Sequence, residues 1–196
     1  MQKELINNTI EMFDNYEKWN AYLELIAKFG EIKNSFYATL KNALIKHFCQ
    51  DDIVEGWTCR VWDALNTRWF ITQHGHDSLC LFLSGVNFHL WCNPSVYDGN
   101  KINELLIQPK YKPLIAGFTR IDRQLFYADW KITEDGNFYF NSPFDGNFNP
   151  ETLAWFAGKK TNELVNQIAE KVDRYRKSEI LTNLLVEIND LTKLAK

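Results

Sequence analysis

Residues Leu79–Cys92 read LCLFLSGVNFHLWC, and the parity of this stretch decides the architecture. Gly85-Val86 fits a two-residue hairpin loop, because glycine at the first central position supplies the positive φ that a primed turn needs. Ser84 then faces Asn87, and the register assigns every side chain to one side of the sheet. Leu79, Leu81, Leu83, Phe88, Leu90 and Cys92 share one face, which reads as core. Cys80, Phe82, Ser84, Asn87, His89 and Trp91 share the other.

Upstream, short runs rich in Trp, Val, Ile and Phe alternate with turn residues, so residues 53 to 92 predict four strands. Downstream, FYADWKITEDGNFYF (126–140) predicts a second hairpin around Glu134-Asp135-Gly136, with Ile132 opposite Phe138 and Trp130 opposite Phe140. Pro94, Asp98-Gly99, Pro109 and Pro113 punctuate the segment between, around a short helix near 100–107.

Both ends are helical in pattern. Residues 1–50 contain no proline and one glycine, Gly30, which separates two segments; in the second, Phe36, Leu40, Leu44 and Phe48 form an apolar stripe. Asn149-Pro150 predicts the start of a short helix that Gly158 ends. Thr161 caps a last element whose apolar residues run from Leu164 to Leu191. Unbroken, that element would be a rod of roughly 50 Å, longer than the ~40 Å width of a compact chain of this size. It must therefore break near Lys177-Ser178 or pack its end on something beyond the body. The expectation is an α+β fold with N-terminal helices, a central, mostly antiparallel sheet of about six strands and a long C-terminal helix. It is read as one domain, 1–196, with a helical part (1–50), a β-rich body (51–148) and a helical C-terminal part (149–196).

Composition narrows the function. Hydrophobic residues at 45% and charged residues at 24% are an ordinary globular balance, which excludes a disordered chain. A net charge of −3 and a pI near 5.8 argue against a duplex nucleic-acid binder, whose affinity comes from Lys and Arg on phosphates. The N-terminal residues MQKELINNTIEMF lack the apolar stretch of a signal peptide, and no run approaches the roughly 18 residues of a membrane helix. A soluble, cytoplasmic, acidic protein is expected. Cys49, Cys59, Cys80 and Cys92 form no C-x-x-C pair and read as free thiols. The surplus of aromatics (7 Trp, 8 Tyr, 14 Phe), with abundant Asn, Lys and Ile, fits a low-GC bacterium or a phage.

Three stretches suggest a chemistry, and each also has a plainer reading. QHGHDSLC (73–80) gathers His74, His76 and Asp77, residue types that Zn²⁺ accepts, but in no established zinc spacing; it reads more simply as a polar turn. Asp122, Asp129 and Lys131 imitate the carboxylate, carboxylate and lysine set with which PD-(D/E)xK nucleases hold Mg²⁺ and orient water. Seven residues leave little room for the intervening turn, and Glu31-x-Lys33 is another such match, so coincidence is the plainer account. The basic cluster at Arg174, Arg176 and Lys177 reads as a solvated helix face.

The aromatic surplus remains. Phe82, His89 and Trp91 share the second sheet face, with Trp57, Trp62 and Trp69 on neighbouring strands. Either the protein's own helices cover these residues or they form a binding surface. The sequence reading is a non-enzymatic, protein-binding protein, an accessory or inhibitory factor that needs no cofactor, with a homodimer through 161–196 if the last helix overhangs. Its alternatives are a metal-dependent nuclease and a single-stranded nucleic-acid binder.

Overall fold

Helix α1 runs from Tyr16 to Lys46, opened by Asn15, whose side chain accepts the Lys18 N–H at 2.9 Å. The computed structural model describes residues 10–85, 87–116, 118–120, 130–132 and 150–195. Gly30 does not divide α1, contrary to the sequence expectation, because one glycine inside a helix costs only about 1 kcal/mol relative to alanine. A π-helical turn, His47–Asp51, closes it, with the Asp52 N–H donating to the His47 carbonyl at 2.8 Å. Leu40, Leu44 and Phe48 are buried, and Phe48 meets the ring of Trp69 edge-on at 4.9 Å between centroids.

Four antiparallel strands follow: β1 (Trp57–Asp63), β2 (Asn66–Ile71), β3 (Cys80–Ser84) and β4 (Asn87–Trp91). The β3–β4 register is the one the glycine turn dictates, with Ser84 opposite Asn87, Phe82 opposite His89 and Gly85 at φ +61°. Two three-residue strands, β5 (Phe118–Arg120) and β6 (Trp130–Ile132), extend the sheet to the order β1-β2-β3-β4-β6-β5. β6 has β4 on one edge and β5 on the other, with Trp130 opposite Leu90 and Arg120, and Ile132 opposite Phe118. The turn at 134–136 and its return strand lie outside the described residues.

Helices α2 (Gly99–Leu106) and α3 (Lys112–Ile115) fill the segment between β4 and β5. Helix α4 (Pro150–Lys159) runs through Gly158 instead of stopping there. That glycine is a close-approach residue: a Cβ on it would lie 2.1 Å from the Phe36 ring of α1. Thr161 is the first residue of α5 (Thr161–Arg176) and not its cap, and its hydroxyl donates to the Ala157 carbonyl at 2.6 Å.

The expected single long C-terminal helix is two helices, α5 and α6 (Glu179–Thr192). Ser178 makes the break: its backbone is extended and its hydroxyl caps α6 by accepting the Leu181 N–H at 3.3 Å. Arg176 fixes the corner. Its buried guanidinium lies 4.9 Å above the Phe48 ring and donates to Asp173, to the Asp52 carboxylate at 2.6 Å and to the Asp52 carbonyl at 3.1 Å. Burial pushes the Asp52 carboxyl up, but Arg176 and Lys177 outweigh it and hold it below the usual carboxylate range. The helix folds back, so Leu181, Leu184, Leu185 and Ile188 enter the core instead of extending beyond the body.

The helices reach the sheet from one side. Phe48 packs on Trp69, the Trp57 Nε1–H donates to Thr182 Oγ1 at 3.1 Å, and Asn189 of α6 holds the start of β3. Asn189 Oδ1 accepts the Leu79 N–H at 2.7 Å while its Nδ2 donates to the Leu79 carbonyl at 3.1 Å. A side-chain amide thus replaces a neighbouring strand at a buried backbone position. No helix among the described residues is long and apolar enough to cross a membrane.

Candidate functional site

Alternation along the strands sends every second side chain to the side away from the helices. Arg60 and Trp62 of β1, Arg68 and Phe70 of β2, Phe82 of β3, and His89 and Trp91 of β4 come together there. His76, from the loop after β2, joins them with its ring 5.8 Å from Trp62 and 6.2 Å from Phe70.

Arg68 is the centre of this surface. Its guanidinium carbon lies 3.6 Å from the ring centre of Trp91, 4.8 Å from that of Phe82 and 5.0 Å from that of Trp62, and one arm donates to the His76 carbonyl at 3.1 Å. Stacked cations of this kind are worth about 0.5–2 kcal/mol. Arg60 is exposed, stands directly across the strand pair from Arg68 and lies over the Trp62 ring, 4.7 Å from its centre. Two like charges in cross-strand register repel. Among the described residues neither guanidinium has a carboxylate in ion-pair range, so the patch is locally cationic on an acidic protein. Burial, and secondarily Arg60, lowers the Arg68 pKa from its ordinary value, against the opposing pull of Cys80 and Asp77. Arg68 Nε and Asn66 Oδ1 on this face are buried without a hydrogen-bond partner among the described residues. Each such atom costs about 1–3 kcal/mol, and His47 Nε2 and the inner Trp69 Nε1 share that state away from this face.

The predicted binding residues divide between the two faces. Trp62, Phe82, His89 and Trp91 are brought together and half-buried, whereas Trp57 and Trp69 point inward and are buried in the core. Arg60, Arg68 and Phe70 were missed. Part of the signal for them lies in Asp63-Ala64-Leu65-Asn66, a two-residue hairpin turn in which Asp63 Oδ1 accepts the Leu65 N–H at 2.8 Å. Counted from that turn alone Arg60 would face Trp69; a bulge between Val61 and Asp63 shifts the pairing by one residue and sets Arg68 outward and opposite Arg60.

The metal candidates diverge. Gly75, at φ +77°, turns the chain between them, so His76 stacks on the outer aromatic rings while His74 Nε2 lies 3.7 Å from Asp190 of α6. Asp77 accepts the Asn93 side-chain amide at 3.1 Å. Among the described residues no three His, Cys, Asp or Glu side chains converge as a metal site. Of the nuclease set, Asp122 and Asp129 lie outside the described residues, and Lys131 sits on β6 between His89 and Thr119. No family model, curated protein or solved structure matches the chain.

Proposed function

We propose that this is a non-catalytic binding protein that docks another protein on the outer face of its sheet, through an acidic segment of that partner. The observation that carries the reading is the pair of cross-strand arginines, Arg60 and Arg68, set among Trp62, Phe82 and Trp91 with no described carboxylate opposite either. Tryptophan and arginine dominate interface hot spots because they bring large contact areas and multiple donors at small entropic cost. A partner carboxylate approaching Arg60 would relieve the Arg60–Arg68 repulsion and meet donors already held by stacking, so little ordering remains to oppose binding.

A second reading shares the chemistry. Stacked planar groups beside two cations also suit single-stranded nucleic acid, although the net charge of −3 opposes it away from the patch.

The test is affinity capture from the native cell with wild type and with Arg60→Glu. Arg60 is exposed, so this change should leave the thermal unfolding midpoint within a degree or two while reversing the local charge. A protein retained by wild type and lost by the variant supports the reading. An unchanged set of captured proteins removes it, and salt-sensitive binding of labelled single strands that the variant loses would install the second reading instead.

A further inference from the structure

From Phe36 back towards its N-terminus, α1 leaves the body, and its apolar stripe goes with it. Helical periodicity places Trp19, Tyr22, Leu23, Ile26 and Phe29 on the side of the helix that Leu40 and Leu44 occupy further along. Leu40 and Leu44 are at most 1% exposed, while those five are 39–53% exposed. Glu17, Glu24, Lys28 and Glu31 occupy the opposite side. With the bordering Leu25 and Ile32, the outer stripe presents on the order of 700 Å² of apolar side chain, more than the ~300–600 Å² patches of ordinary monomers. It approaches the roughly 800 Å² that each partner brings to a stable interface.

We propose that this stripe is covered by the same stripe of a second copy of the chain, as an antiparallel pair of α1 helices centred on Ile26. The face is continuous with one that already packs helix on helix, since Phe36 seats α1 against Gly158 of α4. Over residues 16–35 three acids (Glu17, Glu24, Glu31) balance three bases (Lys18, Lys28, Lys33), so two copies do not repel. The polar side also lacks the basic excess by which interfacial helices hold anionic lipid.

Residue sizes set the direction. A parallel pair would put Gly30 on Gly30, leaving a gap, and Lys33 on Lys33. An antiparallel pair centred on Ile26 sets Tyr22 against Gly30, Leu23 against Phe29 and Lys33 against Trp19, whose ring Phe13 of its own chain already meets edge-on, and this fills the gap. Gly30 has open space around it, with nothing within 4 Å of the position a Cβ would take. The helix thus keeps a residue that weakens it at the point where the partner's ring would enter.

Light scattering on a sizing column, with the full chain at micromolar concentration, should give twice the 23.1 kDa chain mass for wild type and the single mass for Ile26→Glu. Helical circular dichroism should persist in the variant, because Ile26 makes no core contact. In a Cys49→Ser background, mild oxidation should cross-link Ile26→Cys and not Lys33→Cys, since the antiparallel register separates the two Lys33 positions by roughly 20 Å. A monomeric wild type overturns the proposal, whether or not it binds anionic vesicles. So does a dimer that survives Ile26→Glu, or one that Lys33→Cys links as readily as Ile26→Cys.

Discussion

The two faces of the sheet are built from the same strands, yet they obey different rules. On the inner face Trp69, Leu81, Leu83, Phe88 and Leu90 are at most 1% exposed and are filled by helices from above. On the outer face Trp62, Phe82 and Trp91 stay half-buried and pack on two arginines. The four tryptophans of β1 to β4 divide evenly, Trp57 and Trp69 inward and Trp62 and Trp91 outward. Residue type therefore says nothing about role here; parity in the hydrogen-bond register does. Inner side chains are spent on stability, while the outer face keeps an opposed cation pair that stability does not ask for.

The largest expected difference follows from the tryptophans. Trp69→Ala should cost about 3–5 kcal/mol in urea unfolding, because it empties a fully enclosed site. Trp91→Ala should cost no more than about 2 kcal/mol, the loss of stacking and partial burial. Equal costs would break the distinction between the faces. Next comes Asn189→Ala, expected at about 2–3 kcal/mol, since it strands the buried N–H and carbonyl of Leu79. Faster hydrogen exchange at the Leu79 amide, relative to Leu81, would locate that loss where the side chain acts.

The β3–β4 hairpin was legible because one glycine fixed its register, and period-two alternation did the rest. The same logic reached Phe82, His89 and Trp91 but not Arg68, since the β1–β2 turn carries no glycine and a bulge between Val61 and Asp63 shifts the register beyond it. Asn189 was invisible: in sequence it is one polar residue in an apolar helix stripe, and only the fold brings Leu79 to it. The helix break at Ser178 was one of two outcomes that length allowed, and a serine cap with a buried Arg176 corner decided it. On α1 the stripe was readable but its coverage was not. Periodicity reports which side of a helix is apolar and never how much of that side meets a neighbour.

Arg68→Ala should cost about 1–2 kcal/mol by removing three cation–ring contacts. Arg60→Ala, at an exposed position, should stay within about 0.5 kcal/mol. Stability that fell more with Arg60 than with Arg68 would mean that the outer cluster is organised around the wrong residue.

The smallest perturbation is chemical. Cys80 points to the outer face by register, opposite Trp91, yet it is fully buried beneath its neighbours, and burial holds its thiol well above the ordinary range. Cys49 is exposed on the π-turn, and its hydrogen bond with Cys59, reinforced by Arg176, lowers its pKa to about 7. The thiolate forms as pH rises through that value, so alkylation of Cys49 by iodoacetamide should accelerate several-fold between about pH 6 and 8 and then level off. Cys80 should stay unlabelled across that range in wild type. Arg68→Ala removes the cation that favours the Cys80 thiolate, so labelling that nonetheless appears without global unfolding would report an opened outer layer. Labelling of Cys80 that appears only when the whole protein unfolds would show that this layer is as rigid as the inner one, and the contrast between the faces would then rest on charge alone.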